Sequence, residues 1–115
     1  MRTVTITRVP ALAGFALQYF CFLDTDPAPF AGRMEYRDFL ALAQEHDPAA
    51  LRNGQTVSRE IDGQAHTVMA VIWTQQGNRI VPPLAIEEGE TDASFKLITN
   101  YNGFDVLEYG LVRDE

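Results

Sequence analysis

Two aspartates one residue apart, Asp24 and Asp26, close the apolar run YFCFLDTDP at residues 19–27. An Asp-x-Asp pair at the mouth of a buried strand can hold a magnesium ion or attack phosphorus, since two carboxylates then reach one electrophile. Other groups able to do chemistry are few. The histidines are His46 and His66, the one cysteine is Cys21, and Glu87, Glu88, Glu90 and Asp92 form a run of carboxylates. Asp62-Gly63 suits a two-residue type I′ turn, which would set Arg59 opposite His66. A guanidinium beside an imidazole lowers its pKa, leaving a neutral ring that could serve as base or hydrogen-bond acceptor.

Residues 20–28, FCFLDTDPA, resemble the nucleophile motif of haloacid-dehalogenase-type phosphatases. In that family a hydrophobic strand precedes Asp-x-Asp, the first aspartate attacks phosphorus, and the second acts as acid or base beside magnesium. The motif departs from the family at Ala28, where a Thr or Val is usual, and no matching downstream lysine follows. The chain also lacks the repeated strand-helix alternation of the family's doubly wound sheet. Asp24 and Asp26 therefore read as turn formers that bond nearby backbone N–H groups ahead of Pro27.

The remaining candidates are weighed in the same way. Glu87 to Asp92 lacks the spacing of a twelve-residue calcium loop, so the segment reads as a solvated loop. If it has a role, contact with a basic partner fits better than metal capture. Cys21, His46 and His66 lack metal-ligand spacing, and Cys21 sits among apolar residues, as an inert thiol would. Neither a GxGxxG nor a GxxxxGK[ST] loop occurs. Tyr19, Phe20, Phe22, Phe39 and Trp73 are spaced as core and are not interleaved with basic residues. No metal and no cofactor is expected.

Composition narrows the classes further. At 115 residues, 46% hydrophobic and 22% charged, the chain suits one compact domain over 1–115. A net charge of −7 disfavours nucleic acid and anionic membranes, both of which need clustered Lys or Arg. The opening MRTVTITRVP has no signal-peptide core, and no apolar run is long enough to span a bilayer. With one cysteine, a reducing cytoplasm is the expected compartment. Arginine supplies every basic residue except Lys96, a bias that suits a GC-rich bacterial genome.

The elements that must position these groups follow from periodicity. RTVTITR (2–8) alternates as a half-buried strand, and FALQYFCFL (15–23) is apolar on both faces, as a central strand requires. Between 33 and 46, Tyr36, Phe39, Leu40 and Ala43 fall at helical spacing. DPAALRNG (47–54) carries cap signals for a short second helix. TVSREIDGQAHTVMAVIW predicts a hairpin about Asp62-Gly63 whose second strand lies inside the sheet. RIVPPLAI belongs at an edge because prolines cannot donate to a ladder. ASFKLITNYNGFDVLEYGLV allows a hairpin turned at Asn102-Gly103, or a helix capped by Asp92 and ending at Gly103; the alternation of Phe95, Leu97 and Thr99 favours the hairpin.

These elements predict an α+β domain, a largely antiparallel sheet with one main helix and a short second helix on one face. With no assembled catalytic set, the expected function is a non-catalytic protein-binding module of inhibitor, immunity or adaptor type. Its partner would be another protein with a basic surface, bound through Glu87, Glu88, Glu90 and Asp92. Homodimerisation through a sheet edge is compatible with that reading. The alternative is a ligand-binding or enzymatic domain with a pocket between helix and sheet, lined by Tyr36, Arg59, His66 and Trp73.

Overall fold

The computed structural model of the chain describes residues 1–11, 17–101 and 107–114. They form an α+β fold with two four-stranded sheets and one main helix. The strands are β1 (Arg2–Arg8), β2 (Tyr19–Leu23), β3 (Ala49–Leu51), β4 (Thr56–Ile61), β5 (His66–Ile72), β6 (Arg79–Ile86), β7 (Ala93–Tyr101) and β8 (Leu107–Arg113). Helix α1 spans Tyr36–Gln44, and a 3-10 turn covers Ala28–Phe30. One sheet has the order β4-β1-β7-β8 and the other β3-β2-β5-β6. Every pairing is antiparallel except β1 with β7.

The layers follow from which faces are apolar. In β2 and β5 successive side chains point to opposite faces, and both faces are buried. Tyr19, Cys21, Val68, Ala70 and Ile72 pack toward Val4, Ile6, Phe95 and Leu97 of the first sheet. Phe20, Phe22, Met69 and Val71 pack the other way, against Phe30, Phe39 and Ala43. The second sheet is thus the middle layer, with the first sheet on one side and α1 on the other. Fully burying each of these aromatic or branched side chains is worth about 1.5–3 kcal/mol, so neither face could be left bare.

The expected strand at 2–8 is present, the strand expected after Asp62-Gly63 forms over His66–Ile72, β2 and β5 are interior, and the proline-bearing β6 is an edge. Residues 15 and 16 of the expected second strand lie outside the described residues. The expected hairpin of β7 and β8 forms, with Leu97 paired to Leu111, while its Asn102-Gly103 turn lies outside the described residues. The helix is shorter than 33–46, because Glu35 is still extended at its N-cap.

Three expectations are corrected. The strands form two sheets rather than one. Residues 47–54 do not form a short helix: Asp47 takes φ 50°, and Ala49–Leu51 pair antiparallel with Tyr19–Cys21. An isolated helical turn is marginal, whereas the strand pairs with Tyr19–Cys21 along one edge of β2 and buries Leu51 completely. The Asp62-Gly63 hairpin is also absent. Neither residue has the positive φ that a type I′ turn needs, and β4 pairs with β1 while β5 pairs with β2 and β6. The segment between Ile61 and His66 instead carries the chain from one sheet to the other.

The inner face of β1 reads Arg2, Val4, Ile6, Arg8, all buried. Arg8 is 1% exposed; its Nη1 donates to the Leu17 and Leu51 carbonyls, and its guanidinium lies 3.5 Å from the centre of the Tyr19 ring. Burial pushes its pKa down. Tyr19 in turn bonds Thr99 through its hydroxyl and meets Tyr109 edge-on at 5.6 Å. Removing the guanidinium takes a donor from the Leu17 and Leu51 carbonyls and a cation from the Tyr19 ring. Arg8→Ala is expected to destabilise the fold by about 3–5 kcal/mol. Arg8→Lys should recover only part of this, since an ammonium lacks the planar fork. Urea denaturation of the three proteins measures both.

Candidate functional site

Seven strand ends meet at one end of the sandwich: the starts of β1, β5 and β7 and the finishes of β2, β4, β6 and β8. The registers require it, since Arg2 pairs with Ile61, Val4 with Ala93, Leu23 with Val68, and His66 with Ile86. The connecting loops 24–27, 62–65 and 87–92 therefore converge, and each carries carboxylates: Asp24 and Asp26, Asp62, and Glu87 through Asp92.

Arg2 holds two of these loops together. Its side chain, in a residue only 5% exposed, donates to the carbonyls of Asp62 (3.2 Å), Gln64 (2.8 Å) and Thr91 (3.5 Å). Gly89 N–H donates to Gly63 O at 2.9 Å, and a Cβ on Gly63 would meet the Glu90 carboxylate at 2.3 Å. Asp92 accepts from Thr3 N–H at 2.8 Å, which ties the acidic loop to β1.

His66 joins the third loop. Its Nδ1 lies 2.5 Å from Asp24 Oδ2 and its Nε2 lies 2.6 Å from Asp62 Oδ1. Asp24 reaches this position in the left-handed region, at φ 52°, and its other oxygen accepts from Thr67 N–H at 2.9 Å. A neutral imidazole has one N–H, so only the imidazolium can donate to both carboxylates at once. The hydrogen bonds to Asp24 and then Asp62 raise the His66 pKa, and the bonds from His66 and from Gln64 N–H lower that of Asp62. The expected lowering of the His66 pKa by Arg59 is thus reversed, because the two residues are not paired.

The four residues expected to line one pocket are dispersed. Tyr36 and Trp73 meet near the start of α1, ring centres 5.1 Å apart, with Trp73 Nε1 donating to Met34 O at 2.8 Å. Arg59 pairs across the ladder with Val4 and forms an ion pair with Asp47 at 3.2 Å. His66 belongs to the acidic end. Asp26 behaves as the expected turn former, accepting from Ala28 N–H at 3.0 Å, whereas Asp24 bonds across to β5. Sequence reasoning missed Asp62 and Arg2 as organising groups. Arg2 did carry a signal, since it shares the period-2 face of Val4 and Ile6.

Cys21 is buried and its thiol is pushed up to about 12 by desolvation, which disfavours the reactive thiolate. Among the described residues no three His, Cys, Asp or Glu side chains converge to hold a metal ion, and no helix is long and apolar enough to cross a membrane. Compared with protein-family models, with curated proteins and with solved structures, the chain matches none.

The linkage has a definite sign. A raised histidine pKa adds stability that is whole below the unfolded value near 6.5 and is lost as pH rises through the higher folded value. The lowered Asp62 pKa acts at the other side, adding stability above about 3.8 that is lost as pH falls through its folded value. An imidazole titration followed by NMR should place His66 above 6.5 in the folded chain. Asp24→Asn/Asp62→Asn should bring it back down, and the urea-midpoint gap from wild type should narrow as pH rises above neutrality.

Proposed function

We propose that the chain is a non-catalytic binding module whose acidic end recognises a protein with a basic surface. The observation that carries this reading is the convergence of three carboxylate-bearing loops, distant in sequence, which Arg2 ties through backbone carbonyls and His66 through Asp24 and Asp62. A surface fixed before binding loses less freedom on association than a mobile acidic tail. Glu87 and Glu88 are exposed, and among the described residues neither takes part in a hydrogen bond or ion pair. They are therefore available to steer a basic partner without cost to the fold. Beside them lies an open hollow lined by Asp92, Ser94, Arg113 and Asp114, room for an inserted side chain.

The states of Cys21 and His66 support a binding role in this reading. Cys21 is protonated and buried, and His66 is bonded at both nitrogens. Acidic balance, with −7 overall, agrees with the same partner chemistry. The module acts in the cytoplasm in this reading, consistent with its lone unpaired thiol.

Glu87→Lys/Glu88→Lys reverses two exposed charges and should leave the melting temperature unchanged. Co-purification from lysate of the source cell, quantified at rising salt, is expected to return a basic protein partner. The wild-type complex should weaken with salt, and the variant should bind it at least about tenfold more weakly, chiefly through slower association. A partner retained equally by the variant, or only a small metabolite in place of any protein, overturns the proposal.

A further inference from the structure

A second feature lies on a different side of the sandwich, where β3 and β4 face each other across the two sheets. β3 is only three residues long and pairs with Tyr19–Cys21, so it stops short of Phe22 and Leu23. The space it leaves is covered by His46 and Asp47 of the α1–β3 connection. Beneath them is a cavity of about 130 Å³, with Val4, Ile6, Leu23, Ala49 and Val57 in its wall and Arg59 at its rim.

The wall is largely apolar, with Cys21 and Phe22 beside the aliphatic side chains, and the rim is charged, a combination that selects an amphiphile. The volume is close to the ~150 Å³ of an apolar cavity that takes up benzene, which sets the apolar part of an occupant at about four to six carbons. The rim cation is Arg59, whose guanidinium donates to Asp47 Oδ2 at 3.2 Å and Pro48 O at 3.3 Å. Asp47 is a weak holder of that cation: its side chain is 88% exposed, and ion pairs that open to water contribute little. It also sits at φ 50°, a region that costs a non-glycine residue energy but suits Asp and Asn. A carboxylate arriving with an apolar tail can bond the guanidinium bidentately while burying the tail, and so displaces Asp47. The geometry points to this cavity as a binding site for a short aliphatic carboxylate, its head on Arg59 and its tail between Val4, Ile6 and Val57. The site is separate from the acidic end and stands or falls without it.

Hexanoate is the probe, with hexylamine as the opposite-charge control, each titrated into the full chain. Saturable shifts are expected in the methyl resonances of Val4, Ile6 and Val57 with hexanoate, and none with hexylamine. Arg59→Gln should weaken hexanoate by about tenfold or more, the loss of a charge-assisted bidentate contact. Asp47→Asn keeps the left-handed backbone and removes the competing carboxylate, so it should tighten hexanoate severalfold. Val57→Phe fills the hollow and should abolish binding, with its melting temperature read alongside to show that the chain is folded. The proposal is overturned if no saturable methyl shift occurs, or if Arg59→Gln binds as tightly as wild type. It is equally overturned if hexylamine binds better and Asp47→Asn weakens binding, since the site would then select a cation.

Discussion

The architecture depends on one constraint: β2 and β5 are apolar on both faces. A strand of this kind cannot lie at a water-facing surface, so their sheet must be a middle layer. One cover is the inner face of β1 and β7, and the other is the face of α1 that carries Phe39 and Ala43. The remaining strands take the positions left over. β3 is short and β6 carries Pro82 and Pro83, and both sit at the edges of the middle sheet. β4 has one exposed face and lies at the edge of the outer sheet.

An apolar sandwich still has to close at its ends, where loops turn and backbone carbonyls lose their ladder partners. Here β1 supplies a guanidinium at each end of its buried face. Arg8 serves the carbonyls of Leu17 and Leu51, and Arg2 serves those of Asp62, Gln64 and Thr91. Their charges are tolerated inside because they satisfy several acceptors and, for Arg8, because an aromatic face lies beneath. The same device organises the surface. Arg2 fixes the loops that carry Asp62 and Glu90, and His66 draws in Asp24.

The two sites proposed for this chain both lie where strands end. Loops gather carboxylates where seven strand ends coincide, and a cavity opens where β3 begins short of Leu23. The acidic end is polar and tightly bonded, whereas the side cavity is largely apolar with an exposed ion pair at its rim. These differences make the first suited to a protein surface and the second to a small amphiphile.

Much of the secondary structure was legible because burial leaves a local period. The alternation in RTVTITR marked β1, the unbroken apolar runs marked β2 and β5 as interior, and Phe39 with Ala43 marked the buried face of α1. Locally spaced signals failed where non-local pairing outweighed them. Asp62-Gly63 had hairpin chemistry, yet both edges of β5 are taken by β2 and β6. Residues 47–54 had helix caps, yet the open edge of β2 took Ala49–Leu51 as a strand. The Asp24 side chain shows the division most clearly. By itself the sequence determined that the strand through Phe22 is buried and must end in a turn at Asp24. Only the tertiary structure decided that this carboxylate would face His66 and Asp62, residues about forty positions away, because sheet register is a competition among all edges at once.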